Sequence, residues 1–285
     1  MADEETELPK VSPEDVVVKP PAREIPGVQY DVAKKIEKML KSGRRYFGSS
    51  GASLTHQVHN PDPDSPEEIS PELAKIGLEG ERDTTEFLKD WMKDKPGVVL
   101  VDSVHINTKY KTEDVEMEDD VVDEESGLID GKDTDHVLLI GDEVILIDTK
   151  RWKKKKAYSV GDNGQALRTN KAFPGGNVRM KNAIYIWLEY LSEDAVITGV
   201  VLINAEQVFV RRNKNWYSHV YRLVEIDRMK EYLDKYWAKV DEQDRSSVNS
   251  TLVSQVALSA IKPFDVYKKV FNEDSLNQFM GKGKK

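Results

Sequence analysis

Asp133 to Lys150 reads DTDHVLLIGDEVILIDTK. Two apolar runs of strand length, Val137–Ile140 and Val144–Ile147, flank Gly141-Asp142. Gly at the first central position of a two-residue turn between such runs predicts a tight β-hairpin. With residues 141 and 142 as the turn, Ile140 faces Glu143 and Asp135 stands opposite Asp148. Side chains two apart share a face of a strand, so this register also puts Lys150 on that face, next to Asp133. A slip of one residue would carry Asp135 to the other face, so the cluster depends on the register. Away from it both faces of the hairpin are apolar, as expected for a central strand pair covered on both sides.

Carboxylates on neighbouring strands suit a hard divalent cation, and Mg²⁺ favours few carboxylates together with water and phosphate oxygens. A lysine beside them can orient an attacking water or stabilise charge developing on a phosphate. The bland alternative is an ion pair at a strand end, worth little. The second acid at the paired position, carried on buried strands, weighs against that alternative.

The chain has 285 residues, 39% hydrophobic and 33% charged, room for one large domain or two small ones. No apolar run approaches the roughly 20 residues of a membrane helix, and the acidic start MADEETELPK lacks the apolar core of a secretory signal. The absence of cysteine excludes disulfides and thiolate metal sites and fits a reducing compartment, so a cytoplasmic location is expected. Net charge is −9, yet its distribution is uneven. Residues 1–30 carry seven acids and three bases, and residues 107–135 carry twelve acids and three bases. Residues 151–182, directly after the hairpin, carry nine bases and one acid. Acid is thus concentrated in segments of disorder-like composition, and base beside the candidate site.

Residues 1–27 are expected to be a disordered acidic tail, and 28–70 a short helix and a loop. Val32, Ile36, Met39 and Leu40 mark the helix face, and the loop holds His56 and His59, which lack the further ligands of a zinc site. Ser70-Pro71 starts a long helix to about Lys93, with Glu81 at the border of its buried stripe. Gly77 and Gly80 within it suggest close approach by another backbone. Val98–Ile106 is a strand, and the acidic run Glu113 to Glu125 an insertion within 107–132. After Lys150 comes Arg151-Trp152-Lys153-Lys154-Lys155-Lys156, where the cations suit phosphates and Trp152 suits stacking on a base. Gln165 is expected to open a helix or helical turn, with Arg168 and Lys171 nearby, broken at Phe173-Pro-Gly-Gly. A helix over 178–191 with Ile184, Trp187, Leu188 and Leu191 inward, strands at 196–203, 208–212 and 220–226, and a helical extension over 227–285 with Asp227 as N-cap complete the reading.

Taken in order, these elements resemble the PD-(D/E)xK nuclease core and, more narrowly, the nuclease-related domain (NERD) family. Gly77-Leu-Glu-Gly-Glu81 is similar to the family's G-x-x-G-E. Thr134-Asp135-His136-Val137-Leu138 is similar to its Asp-His block, and Ile147-Asp148-Thr149-Lys150-Arg151-Trp152 to its acid-T-K-x-W block. Gln165 falls where the family has a glutamine. The likeness covers about residues 71–205. It departs from the family in having Asp148 where Glu prevails, a lysine run after Trp152 and a long acidic insertion.

The resemblance implies an α/β fold with a restriction-endonuclease-like core over 71–226, a mixed central sheet flanked by helices. It implies Mg²⁺ or Mn²⁺ held by Asp135 and Asp148, with Glu81 and the Thr149 carbonyl as further ligands. Lys150 would position or activate water, and Gln165 would orient phosphate or Lys150. Asp133 and His136 are neighbours only, His136 packed on the opposite face. Arg151, Trp152, Lys153 to Lys156, Arg168 and Lys171 would bind the nucleic acid. The expected function is metal-dependent hydrolysis of phosphodiester bonds, in DNA first and RNA second, without a membrane partner and with homo-oligomers allowed. The alternatives are a nuclease-fold binding module with weak or no catalysis, and an interaction protein using its acidic segments.

Overall fold

The structure is a computed structural model that describes residues 12–25, 28–52, 71–106, 110–111, 128–129, 132–161, 164–191, 195–205, 207–212 and 221–260. His56 and His59, most of the acidic insertion and the basic C-terminal tail lie outside the described residues. In chain order the elements are β1 (Val17–Lys19), α1 (Tyr30–Lys41), β2 (Tyr46–Gly48), α2 (Pro71–Trp91), β3 (Val98–Ile106), β4 (Tyr110–Lys111) and β5 (Leu128–Ile129). Then come β6 (Lys132–Ile140), β7 (Glu143–Lys150), β8 (Ala157–Val160), β9 (Gln165–Arg168), β10 (Lys171–Asn177) and α3 (Lys181–Tyr190). The last are β11 (Val196–Ile203), β12 (Phe209–Arg212), β13 (Tyr221–Glu225), α4 (Ile226–Lys239), α5 (Glu242–Arg245), β14 (Ser247–Asn249) and α6 (Ser250–Leu258).

The fold is mixed α/β. A central sheet has the order β13-β11-β7-β6-β3-β2. β13, β11 and β7 run parallel, β6 is antiparallel to both β7 and β3, and β2 is parallel to β3. Its inner strands are apolar on both faces, and each face has its own core. One core joins Val137, Leu139, Val144 and Leu146 to Trp187 and Ile184 of α3, Ile36 of α1 and Leu252 of α6. The other joins Leu138, Ile140, Ile145 and Ile147 to Leu88 and Trp91 of α2 and to Met229, Leu233 and Trp237 of α4. Helices therefore cover the sheet on both sides. Among the described residues no helix is long and apolar enough to cross a membrane.

Several expectations change. Residues 12–25 are ordered, and Val17–Lys19 pairs in parallel with Ser247–Asn249, where acidic composition predicts disorder. A helix at Gln165 is replaced by the β9-β10 hairpin. Its turn residues, Thr169 and Asn170, both have positive φ, the signature of a two-residue I′ turn. These strands join a second sheet of order β10-β9-β8-β12. Leu188, expected inward, is 48% exposed on α3, and Met39 stands at the edge of α1 while Ala33 fills the core. Glu225, not Asp227, caps α4. At Gly80 the neighbour is the Arg151 side chain, whose Cβ would lie 2.9 Å from an added Cβ, rather than another backbone.

Candidate active site

The β6-β7 ladder runs from Ile140–Glu143 to His136–Ile147, the register expected from the Gly141-Asp142 turn. Gly141 has φ +61°, as the first central position of such a turn requires. Beyond His136–Ile147 the two strands part. β7 stays paired with β11 as far as Lys150–Ile203, and β6 stays with β3 as far as Lys132–Ile106. On the other side, the β3-β6 pairing skips Asp135 opposite Ser103, whose φ of +52° breaks the strand geometry. Asp135 is thus released from regular pairing on both sides, and its carboxylate accepts the Thr149 N–H at 2.7 Å.

Asp148 and Lys150 extend into this fork. Lys150 Nζ lies 2.9 Å from Asp148 Oδ2 and 3.1 Å from Oδ1. Glu81 reaches the same place from α2. It is 3% exposed and accepts the Gly51 N–H at 2.9 Å. Burial, together with the charges of Asp135, Asp102 and Asp148, pushes the Glu81 carboxyl well above the usual range. Burial and the Asp148 charge push Asp135 up to about 6. Burial opposes the Lys150 charge, but Asp148, Asp135 and Glu81 hold its pKa above that of a free lysine. The fork therefore sets the Lys150 ammonium on Asp148, with Asp135 and Glu81 near enough for their charges to act on both. Asp133 pairs with His105 at 2.6 Å.

A raised acid has a defined linkage sign. Its favourable contribution is complete below its unfolded pKa and is lost as pH rises through the folded value. Ionised Asp135 therefore works against folding near neutrality, by roughly 3 kcal/mol for a rise from 3.8 to about 6. In EDTA, Asp135→Asn should raise Tm by several degrees at pH 7.5, with a gain about half as large at pH 5. Equal or lower Tm at pH 7.5 in a folded variant would show that Asp135 carries no such burden.

Behind the carboxylates lies a buried polar chain that sequence reasoning missed. Asp102 accepts from Thr85 Oγ1 at 2.6 Å and from Tyr46 Oη at 3.0 Å, and its other oxygen lies 2.8 Å from His136 Nδ1. His136 Nε2 lies 3.1 Å from Thr149 Oγ1, and Thr149 Oγ1 contacts Thr84 at 3.4 Å. Asn204, just after β11, donates to the Gly80 carbonyl at 2.8 Å and to Thr84 at 3.1 Å, fastening α2 to the end of the sheet. His136 is fully buried, a packing residue as expected. The one sequence signal for this chain is Asp102-Ser103 interrupting an otherwise apolar strand.

Other expected site residues are placed differently. Gln165 starts β9 in the second sheet, where its amide donates to the Ala166 carbonyl at 3.0 Å; it makes no hydrogen bond to Asp148 or Lys150. Arg151 is ion-paired to Asp83, with Glu79 at 3.9 Å. Trp152 is buried against Tyr158 and Phe173, with ring centroids 4.5 and 5.5 Å away, so it cannot stack on a base without leaving the core. Lys153 to Lys156 are exposed. Lys171 is exposed beside the β9-β10 turn, and the Arg168 guanidinium sits 5.7 Å from the Phe173 ring centroid.

Among the described residues, no three His, Cys, Asp or Glu side chains are converged into a metal site. The donors at the fork are nonetheless all hard oxygens. Their mutual repulsion, visible in Glu81 and Asp135, is of the kind a divalent cation offsets. Glu81, Asp135 and Asp148 thus fit Mg²⁺ or Mn²⁺ in donor chemistry and charge, but are not converged as ligands. The chain matches no protein-family model, no curated protein and no solved structure.

Proposed function

We propose that the chain is a metal-dependent nuclease of the PD-(D/E)xK type, with a restriction-endonuclease-like core related to the NERD family, acting on DNA. One observation supports this above the others: Glu81, Asp135, Asp148 and Lys150, drawn from a helix and two strands, meet where β6 and β7 separate. Glu81, Asp135 and Asp148 would hold Mg²⁺ or Mn²⁺, which supplies Lewis-acid activation of water and neutralises charge on phosphate. The remaining work falls to this chain's own groups. Lys150, positively charged through the neutral range, stabilises negative charge on the phosphate and orients water rather than removing its proton. Asp135, raised to about 6 by burial and the Asp148 charge, is ionised above that pH and is then free to serve as a metal ligand. The Thr149 N–H fixes the Asp135 carboxylate, and the Asp102–His136–Thr149 chain fixes Thr149 in turn.

A second reading, a nuclease-fold binding module without useful catalysis, is favoured by the Lys150 ammonium engaging both Asp148 oxygens. The two readings separate in one experiment. Purified protein is incubated with supercoiled, duplex and single-stranded DNA in Mg²⁺, Mn²⁺ or EDTA. Cleavage that needs metal and stops in EDTA is expected. Salt-sensitive binding without cleavage in either metal would give the second reading preference.

A further inference from the structure

The exposed face of the second sheet bears features unlike the rest of this acidic chain. β12 lies parallel to β8 with Phe209 beside Ala157 and Arg211 beside Ser159, and β8 continues the row to β9 with Ser159 beside Leu167. Paired residues share a face, so Phe209, Arg211, Ala157, Ser159 and Leu167 point one way. Tyr158, Val160 and Ala166 point the other way, into the core. The outward face floors an open groove of about 680 Å³. Lys153, Lys156 and Arg168 border it, Arg211 rises from its floor, and among the described residues no carboxylate lines it. Phe209 stands in it 68% exposed, an apolar ring that the fold does not use.

We propose that this sheet face binds single-stranded nucleic acid, its cations tracking the phosphates and Phe209 stacking on an unpaired base. A duplex satisfies the cations but leaves the ring without a partner, because its bases are already stacked; an unpaired strand satisfies both. The inference rests on the nuclease reading for its purpose and extends it to the form of the substrate. Lys153 also borders a second cavity, of about 520 Å³, which Arg151 and Asn204 line immediately beyond Lys150. A strand laid along the sheet accordingly leads toward the carboxylate fork. Phe209 also takes the part that the sequence assigns to Trp152, which is buried beneath the same sheet.

The test measures binding by fluorescence anisotropy in EDTA, so that no cleavage intervenes. Labelled oligothymidylate and oligouridylate of about 20 nucleotides and a duplex of equal length are compared. The wild-type chain should bind the single strands more tightly than the duplex, and the two single-strand arms report whether DNA or RNA is preferred. Phe209→Ala should weaken single-strand binding about tenfold, and Phe209→Trp should restore it. Arg211→Ala should weaken binding and reduce the slope of log affinity against log salt by about one. Because Phe209 and Arg211 are exposed, matching thermal melts confirm that each variant is folded. Phe209→Ala binding as wild type, duplex preference, or no binding of any strand overturns the proposal. Asp148→Ala is assayed alongside for cleavage in Mg²⁺. Its loss of cleavage is read separately, so failure of the sheet surface is not confused with failure of the nuclease assignment.

Discussion

On the nuclease reading proposed above, Lys150→Met should leave a folded protein that cleaves DNA about 10²- to 10³-fold more slowly than the parent. Methionine keeps much of the unbranched stem and deletes only the ammonium. That ammonium lies 2.9 Å from Asp148 Oδ2, in a fork where three carboxylates hold it charged. Its loss would remove the cation proposed to face the phosphate and at the same time leave Asp148 and Asp135 repelling each other, so Tm should drop by a few degrees in EDTA. Lys150→Arg retains the charge and should recover stability more than rate, because a planar guanidinium does not occupy the position of an ammonium. Asp148→Ala should lose cleavage as fully, and the double variant should be little worse than either single one, as expected of groups acting as a unit. Single-turnover cleavage of an end-labelled duplex, read beside thermal melts, gives both quantities. A Lys150→Met enzyme of parental rate would remove Lys150 from the chemistry.

The second large effect is on the fold itself. Asp102→Ala should cost about 3–5 kcal/mol, because it removes one member of a buried, hydrogen-bonded pair and strands the others. Tyr46, Thr85 and His136 all lose a partner, and the Thr85 and His136 bonds lie in the buried interior. For a chain of this size the midpoint of thermal unfolding should fall by about 10 °C. Asp102→Asn keeps the shape and part of the bonding and should cost less. Burial works against charge on His136, yet Asp102, Asp135 and Asp148 hold its pKa above the ordinary value. A raised histidine contributes fully below its unfolded pKa and less as pH rises through the folded one, so the parent should lose this part of its stability on the alkaline side. Urea melts of parent and variant at pH 6 and pH 8.5 measure it. The gap between them should narrow at the higher pH, and a constant gap would mean that the pair is neutral throughout.

The hairpin was legible because its information is local. β-branched runs, a Gly-Asp turn and a two-residue period fix the Ile140–Glu143 register with no reference to the rest of the chain. The limits of β3 were legible for the same reason, and Glu81 sat on a helix with a clear stripe. The segment after Lys150 was not, because its structure depends on partners distant in sequence. Trp152 looks like a surface aromatic beside a lysine run until Tyr158 and Phe173 close over it. Gln165 to Asn177 has no strong strand pattern of its own. Thr169 and Asn170 tolerate the positive φ of a hairpin turn less conspicuously than glycine would, and β8 must be present before β9 has a reason to be extended. Asn204 has no local signal; its role appears only when α2 packs across the end of β11. The lysine run also read as one uniform patch, whereas Arg151 is held by Asp83 and the exposed cations divide between two cavities.

The pairing of β1 with β14 gives assembly an order. Val17 meets Ser247, so this contact cannot form until residue 247 has been synthesised, and it closes a long loop. The same strand bridges Val248 to Gly141, while Asn249 donates to Asp142 at 2.7 Å, gripping the hairpin at the end remote from the carboxylates. During synthesis the β6-β7 hairpin is thus complete long before its outer end is held. The clasp that then holds it is built from segments more than two hundred residues apart.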